Sequence, residues 1–396
     1  MPEQPAPIHW MNDELAEIEQ LGLSRRRRVV TRRVAGQVTI DGVEYIDFAS
    51  NDYLGLASHP EVVQASRQAV EKWGWGSGAS SLITGFTQAH ADLEEKIAQF
   101  EGTEAALVFP SGFAANLGTL AALAGTEDLI LSERRNHASL IDGCRLSKAT
   151  VRIFDGTQLE KMEPLLADAG RFRRRLIVTD SVFSMDGDIA PLQELADIAD
   201  RFDALLYVDE AHATGILGPN GRGACEELGI EHRVPFRMGT LSKGVGSVGG
   251  FIAGRREVID WLVNKVRPYV YSTNMPAAAA AASTRSLEII RQHPEWRQSL
   301  RIMASQFREA CSERGWCTST SRTQIIPIIV GEPAPTLELA RWLASRGFWC
   351  PAIRPPTVPI GTCRLRISLS LNHKVFSING LLHALQAQTE ACLIRK

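Results

Sequence analysis

The chain has 396 residues, 44% hydrophobic and 22% charged, with 43 Lys+Arg against 45 Asp+Glu for a net charge of −2. That composition excludes a disordered or collagen-like chain, fits two to three domains at about 150 residues each, and gives no global charge for nucleic acid or a membrane surface. Seven cysteines, an odd number with no C-x-x-C, make neither a disulfide framework nor a zinc site.

In chain order, residues 1–8 carry no apolar leader and are expected to be disordered. Asn12 can cap an amphipathic helix over Asp13–Leu21, with Leu15, Ile18 and Leu21 on one face. A basic cluster follows, Arg25, Arg26, Arg27, Arg28, Arg32 and Arg33, which reads as a solvated arm or a helix end. Gln37–Ile40 and Val43–Phe48 are β-type runs joined by Asp41-Gly42, a two-residue hairpin signal.

From about residue 58 the rhythm changes. Helical patterns over Glu61–Trp73, Ala89–Phe100, Gly112–Ala124 and Leu192–Phe202 alternate with short apolar runs. The runs are Ala105–Phe109, Asp128–Leu131, Val151–Phe154, Leu176–Thr179, Leu205–Val208, Val234–Met238 and Phe251–Ala253. Near-continuous apolar strands between helices mean an α/β protein with a mostly parallel sheet. One long helical stretch is expected over Ala277–Cys311. Strands at Ile325–Val330 and Arg364–Leu369 then join helices at Leu337–Ser345 and Phe376–Gln386. The expected division is an N-terminal segment 1–57, a large domain 58–290 and a small α+β domain 291–396. Cys144, Cys225, Cys311, Cys317, Cys350, Cys363 and Cys392 read as mostly buried free thiols, which fits a cytoplasmic compartment.

In open α/β sheets, ligands sit at the carboxyl ends of the strands. After Ala105–Phe109 comes Pro110-Ser111-Gly112-Phe113, small residues at a strand-to-helix turn. They suit either a plain N-cap by Ser111 or an anion cradle of free N–H groups. After Leu205–Val208 comes Asp209-Glu210-Ala211-His212. An Asp at the end of a buried strand needs a cationic partner or a capping role, and His212 can reach the same pocket. No third ligand at suitable spacing supports a metal there.

Gly239-Thr240-Leu241-Ser242-Lys243 sets a lysine among hydroxyls and glycines. Such a lysine is expensive to bury charged and useful as a neutral amine. Gly244, Gly246 and Gly249 spell the dinucleotide pattern G-x-G-x-x-G, which would make a nicotinamide dehydrogenase. The pattern leads into a strand instead of opening a helix, so that reading is rejected. Asp209 and Lys243 together suit pyridoxal phosphate, which needs a lysine for its aldehyde, a carboxylate for its ring nitrogen and a phosphate cradle.

At these residues the sequence resembles the α-oxoamine synthases, pyridoxal-phosphate enzymes of fold type I. The resemblance runs from about Arg25 to Leu385. It is carried by Ser50-Asn51-Asp52-Tyr53-Leu54-Gly55-Leu56, Asn136-His137-Ala138-Ser139, Phe183-Ser184-Met185-Asp186-Gly187-Asp188, Asp209 to His212, and Gly239 to Lys243. It implies a large domain with a mostly parallel seven-stranded sheet and a small C-terminal α+β domain. It also implies pyridoxal 5′-phosphate as cofactor, no metal, and a homodimer with shared active sites.

By the same resemblance, Lys243 carries the cofactor and acts as the base. Asp209 pairs with the ring nitrogen, His212 with the ring hydroxyl, and His137 stacks on the ring, with Ser184 nearby. Ser111, Gly112, Phe113 and Thr240 take the phosphate, joined by Thr273 from the partner copy. Asn51 and Arg366 hold the amino-acid carboxylate, and Arg25 lies near the acyl substrate.

Arg364 and Arg366 share one β-type run and are expected on opposite faces, with Arg366 alone entering the site. Glu133-Arg134-Arg135 is more basic than the family suggests, as an exposed loop or a contact for a phosphorylated acyl carrier. Ala352-Ile353-Arg354-Pro355-Pro356-Thr357-Val358-Pro359 resembles the biotin-pathway branch. That branch implies L-alanine and pimeloyl-CoA or pimeloyl-acyl carrier protein as substrates. Another branch, joining glycine or serine to a different acyl-CoA, would share every cofactor residue. A catalytically dead relative is disfavoured by the joint presence of Lys243, Asp209, His137 and His212.

Overall fold

The computed structural model describes residues 8–394, side chains at 9 and 389–394 excepted. Its first layer is a hairpin sheet of β1 (Val30–Val34), β2 (Gln37–Ile40) and β3 (Val43–Asp47). Asp41 and Gly42 have φ of 51° and 82°, the pair of positive angles that lets a two-residue turn follow the strand twist. β1 had no alternating signal to find, since all five of its residues are exposed.

The central sheet has seven strands: β4 (Ala105–Phe109), β5 (Leu129–Glu133), β6 (Thr150–Phe154), β7 (Arg175–Asp180), β8 (Leu205–Asp209), β9 (Phe236–Thr240) and β10 (Gly250–Gly254). Their order across the sheet is β4-β10-β9-β8-β7-β5-β6. Five are bonded in parallel, and β10 runs antiparallel to both β4 and β9. The apolar runs are continuous because both faces are buried. Ala106, Val108, Leu206 and Val208 pack into the core on one face. Leu107, Phe109 and Tyr207, between them in sequence, pack into the other.

Beyond the sheet, the expected Ala277–Cys311 helix is two helices, Ala277–Gln292 and Pro294–Glu313. Pro294 is the reason. It has no N–H to continue the first helix, and it pushes His293 out of helical geometry, to φ −123° and ψ 62°. β11 (Ile325–Gly331), β12 (Phe348–Trp349), β13 (Ala352–Ile353) and β14 (Cys363–Ser368) follow. β11, β14 and β13 form a three-stranded sheet, while β12 adds in parallel to β3. The 1–57 and 291–396 segments therefore share a sheet. Phe48 and His373 stack across that junction, ring centres 4.1 Å apart.

The N-terminal helix runs over His9–Gln20, so Asn12 lies inside it and does not cap it. Leu15 and Leu21 are exposed. Of residues 1–8, expected to be disordered, Ile8 has helical geometry and 1–7 fall outside the described residues, as does the Cys392 side chain. Five of the remaining thiols are buried and Cys317 is exposed. Among the described residues, no helix is long and apolar enough to cross a membrane.

Candidate active site

The carboxyl ends of β4, β5, β7, β8 and β9 converge on a cavity of about 220 Å³. Ser111, Gly112, Phe113, His137, Asp209, His212, Thr240 and Lys243 all line it. Helix Gly112–Leu123 starts at its wall, where Ser111 Oγ accepts from Ala114 N at 3.1 Å. Thr240 Oγ1 lies 2.8 Å from Ser242 Oγ and donates to Gly249 O at 2.9 Å. Gly246, with φ of 71°, presses the lysine loop against Leu56-Ala57. A Cβ there would lie 2.5 Å from Ala57 N, so the glycine is required.

Asp209 is buried and doubly fixed. Its Oδ2 accepts from Asn116 Nδ2 at 2.6 Å and its Oδ1 from Ala211 N at 2.8 Å. Asn116 also donates to Ser139 Oγ at 2.9 Å and accepts from Tyr207 Oη at 2.8 Å. His212 sits between Tyr53 Oη, 2.7 Å from Nδ1, and Lys243 Nζ, 2.9 Å from Nε2. Burial, then the Lys243 charge, holds the His212 imidazole well below its ordinary pKa. Burial also brings the Lys243 amine down to about 8, although Asp209 and Asp180 pull the other way. His137 is lowered by burial, and its Nδ1 lies 2.8 Å from Ser139 Oγ.

Several lining residues were not singled out from the sequence: Asn116, Ser139, Asp180 and Ser242. Asp180 ends β7, as Asp209 ends β8, so the same strand-end rule would have found it. Its Oδ2 accepts from His137 N at 2.7 Å. Burial and the neighbouring Asp209 charge raise its pKa well above its ordinary value.

Arg364 and Arg366 correct an expectation. They are two residues apart in β14, so they share a face. Both reach the 184–186 loop: Arg364 bonds Asp186 and Arg366 bonds Ser184 O. Arg366 goes further, donating to Asn51 Oδ1 at 3.1 Å and towards Tyr53 Oη at 3.4 Å. Arg364 instead lines a second cavity, of about 740 Å³, with Ser184 and Pro355–Ile360. Arg134 and Arg135 line it too. Arg135 is pinned by Asp188 at 2.9 Å and lies 3.7 Å over the Phe183 ring, whereas Arg134 is exposed.

Five expected residues, Ser184, Asn51, Arg366, Thr273 and Arg25, do not line the inner cavity. Thr273 is exposed and bridges to Ser80. Arg25 is exposed and lines neither cavity. Arg354 nevertheless ties the segment before it to the cavity rim, donating to Gly22 O and, at 3.4 Å, to Ser24 O.

Residues 43–382 match the aminotransferase class I and II family. The chain belongs to that family. It is 45% identical over 363 residues to the 8-amino-7-oxononanoate synthase of Geobacter sulfurreducens, covering 91% of this chain and 93% of that one. It is 46% identical over 372 residues to the enzyme of the same name from Methylococcus capsulatus, covering 94% and 96%. Among solved structures, a serine palmitoyltransferase from S. paucimobilis with a bound PLP–myriocin aldimine superposes with a TM-score of 0.91. It is 30% identical, with 98% of this chain and 99% of that one covered. The family member in hand thus has a lysine, a carboxylate and an imidazole on the strand ends of one sheet.

Proposed function

We propose that the protein condenses L-alanine with a pimeloyl thioester and releases CO2 and the free thiol, giving 8-amino-7-oxononanoate for biotin biosynthesis. The observation that carries this reading is identity of 45% and 46%, nearly end to end, to two 8-amino-7-oxononanoate synthases. Likeness to serine palmitoyltransferase is close in shape, but identity there is 30%. Shape follows the shared fold, whereas identity also follows the substrate-contacting side chains.

The inner cavity fits pyridoxal 5′-phosphate in its donor set: a lysine amine, a buried carboxylate, and the start of a helix at its wall. Lys243 would hold the aldehyde, Asp209 the ring nitrogen, His212 the ring hydroxyl and His137 the ring face, with Ser184 nearby. Ser111, Gly112, Phe113 and Thr240 would hold the phosphate. Once bound, the cofactor supplies an electron sink for the substrate Cα.

The chain's own residues do the rest. Arg366 and Asn51 bind the amino-acid carboxylate and so fix which Cα bond faces Lys243. Lys243 Nζ then takes the Cα proton. With its pKa at about 8, roughly a quarter of the amine is free base at pH 7.5, against about one part in a thousand for an ordinary lysine. The 740 Å³ cavity beside Ser184 takes the acyl chain and its thiol carrier, and Arg25, outside its lining, would have to move to reach the acyl group.

A homodimer completes the site. Segments 77–85 and 271–275 lie side by side, joined by Asn274 to Ala79 O and Gly85 O. Trp75, Ile83 and Tyr271, on or beside them, are each more than 70% exposed, an apolar surface that favours a second copy. Thr273 on the same surface would reach the partner's phosphate. The five buried free thiols fit a cytoplasmic setting.

The test is thiol release by the cofactor-loaded protein, with L-alanine, glycine and L-serine crossed against pimeloyl-, acetyl-, succinyl- and palmitoyl-CoA. Release confined to L-alanine with pimeloyl-CoA is expected. Release only with another pair moves the protein to another branch of the family.

A further inference from the structure

The segment that carries Thr273 is held at one carbonyl by an imidazole outside the cofactor cavity. His90 is buried in the first turn of the helix Gln88–Glu101. Its Nδ1 accepts from Thr87 N at 3.1 Å, and its Nε2 lies 2.8 Å from Met275 O. A backbone N–H can only donate and a carbonyl can only accept. The ring is therefore neutral, with its proton on Nε2 and donated to Met275. Ser77 Oγ donates to the same carbonyl.

Met275 stands between two sites. Its buried side chain rests on this chain's own lysine loop: a Cβ at Gly249 would lie 2.4 Å from Met275 Cε. Gly249 O in turn accepts from Thr240 Oγ1 at 2.9 Å. Two residues before Met275, Thr273 is exposed. Asn274 ties the segment to the loop beside it, through Ala79 O and Gly85 O. His90 ties it to a long helix whose Leu93, Ile97 and Phe100 are packed in the core. That helix is the rigid reference from which the exposed threonine is held.

We propose that His90 is a positioning residue for the partner's site: by holding Met275 O it fixes where Thr273 stands, and so how tightly the partner binds the cofactor phosphate. The proposal rests on the shared-phosphate role given above to Thr273. A plain capping role for His90 would act on its own chain. The two roles differ in the ring atom they use and in the protomer they affect, so they can be separated.

His90→Asn keeps an acceptor for Thr87 N but is too short to reach Met275 O. His90→Gln has the reach, and it supplies the Gln of a Thr-x-x-Gln capping box. Mixed dimers are purified through two different tags, with Lys243→Ala on one chain, so that one site alone gains the visible band of lysine-bound pyridoxal phosphate. In the first arrangement His90→Asn is on the Lys243→Ala chain, and the reporting site takes its Thr273 from that altered chain. In the second, His90→Asn is on the chain that keeps Lys243, and the reporting site takes its Thr273 from a chain with His90 intact.

Against a mixed dimer with Lys243→Ala alone, the first arrangement is expected to raise the Kd for pyridoxal phosphate about fivefold, the size of one hydrogen bond. The second should leave it unchanged, and His90→Gln should restore it in the first. A rise in the second arrangement, or none in the first, overturns the proposal. So does a Kd that stays raised with His90→Gln, because the tie to Met275 is then not what was lost. Thr273→Val, placed in the same two arrangements, tests the reading beneath. No rise in the first arrangement overturns the shared phosphate and the positioning role with it, as does full cofactor affinity in a proven monomer. A rise there with Thr273→Val but not with His90→Asn overturns the positioning role alone. If His90→Asn does not assemble, Ser77→Ala, which removes only the other donor to Met275 O, is read by the same outcomes.

Discussion

Asn116 shows how one side chain can be essential to a site without chemistry of its own. It is buried, and it satisfies Asp209, Ser139 and Tyr207 at once. In Asn116→Ala, Asp209 Oδ2 and the Tyr207 hydroxyl lose their partners, a cost of about 1–3 kcal/mol for each buried group. The expected outcome is a lower melting temperature together with weaker pyridoxal phosphate binding, read by thermal denaturation and by cofactor titration. A melting temperature that does not move would show that the pocket relaxes around the loss. Lys243 makes a prediction of the opposite kind, about reactivity. Its amine is the free base above about pH 8, whereas an unperturbed lysine reaches that state near 10.4. Below that point its neutral fraction rises about tenfold per pH unit. The rate at which cofactor-free protein captures pyridoxal phosphate should climb with pH and level off near 8. A rate still climbing at pH 10 would mean that burial does not depress this amine.

At the scale of elements, the phosphate end of the cavity depends on backbone meeting backbone. Gly250 opens β10 against the first turn of helix Gly112–Leu123. A Cβ at 250 would stand 2.5 Å from Gly112 Cα and 2.8 Å from Gly112 N. Neither atom can swing aside as a flexible side chain would. Gly250→Ala should push the strand off the helix start. Affinity for the cofactor is then expected to fall more than about tenfold, an upper range for a close-packed overpacking cost, with a smaller loss in Asn264→Ala as a surface control. The same scale explains what alternation and spacing could supply. The strand-end positions of Asp209 and Thr240 were legible because buried parallel strands are short apolar runs with marked ends. The pairing of Arg366 with Asn51 came from the family resemblance and not from local pattern, since 315 residues separate them. The break at Pro294 was in principle legible, because proline's missing N–H is a local property.

For the whole molecule, the prediction concerns assembly. The protein should elute at twice its 43.5 kDa chain mass. Ile83→Asp places a charge on the exposed apolar surface beside Thr273. It should shift the protein toward the monomer and lower turnover with it, as seen by light scattering and assay on the same samples. Full turnover by a proven monomer would remove Thr273 from the site. The outer fold carries a related lesson. The N-terminal hairpin is completed by Phe348–Trp349, which adds to Val43–Asp47. The N-terminal hairpin and a strand from the C-terminal segment thus form one sheet.

By itself the sequence determined the α/β class, the chemistry of the lysine loop and the strand-end aspartate, and the family. Each of these is written in local pattern: apolar runs, hydroxyl and glycine turns, and short contiguous motifs. Tertiary structure alone decided which distant groups meet. It put Tyr53 between His212 and Arg366, and Asp180 beside His137. The physical reason is that a hydrogen bond needs its partners within about 3 Å. Only the packed sheet and its crossing helices bring residues hundreds of positions apart to that distance.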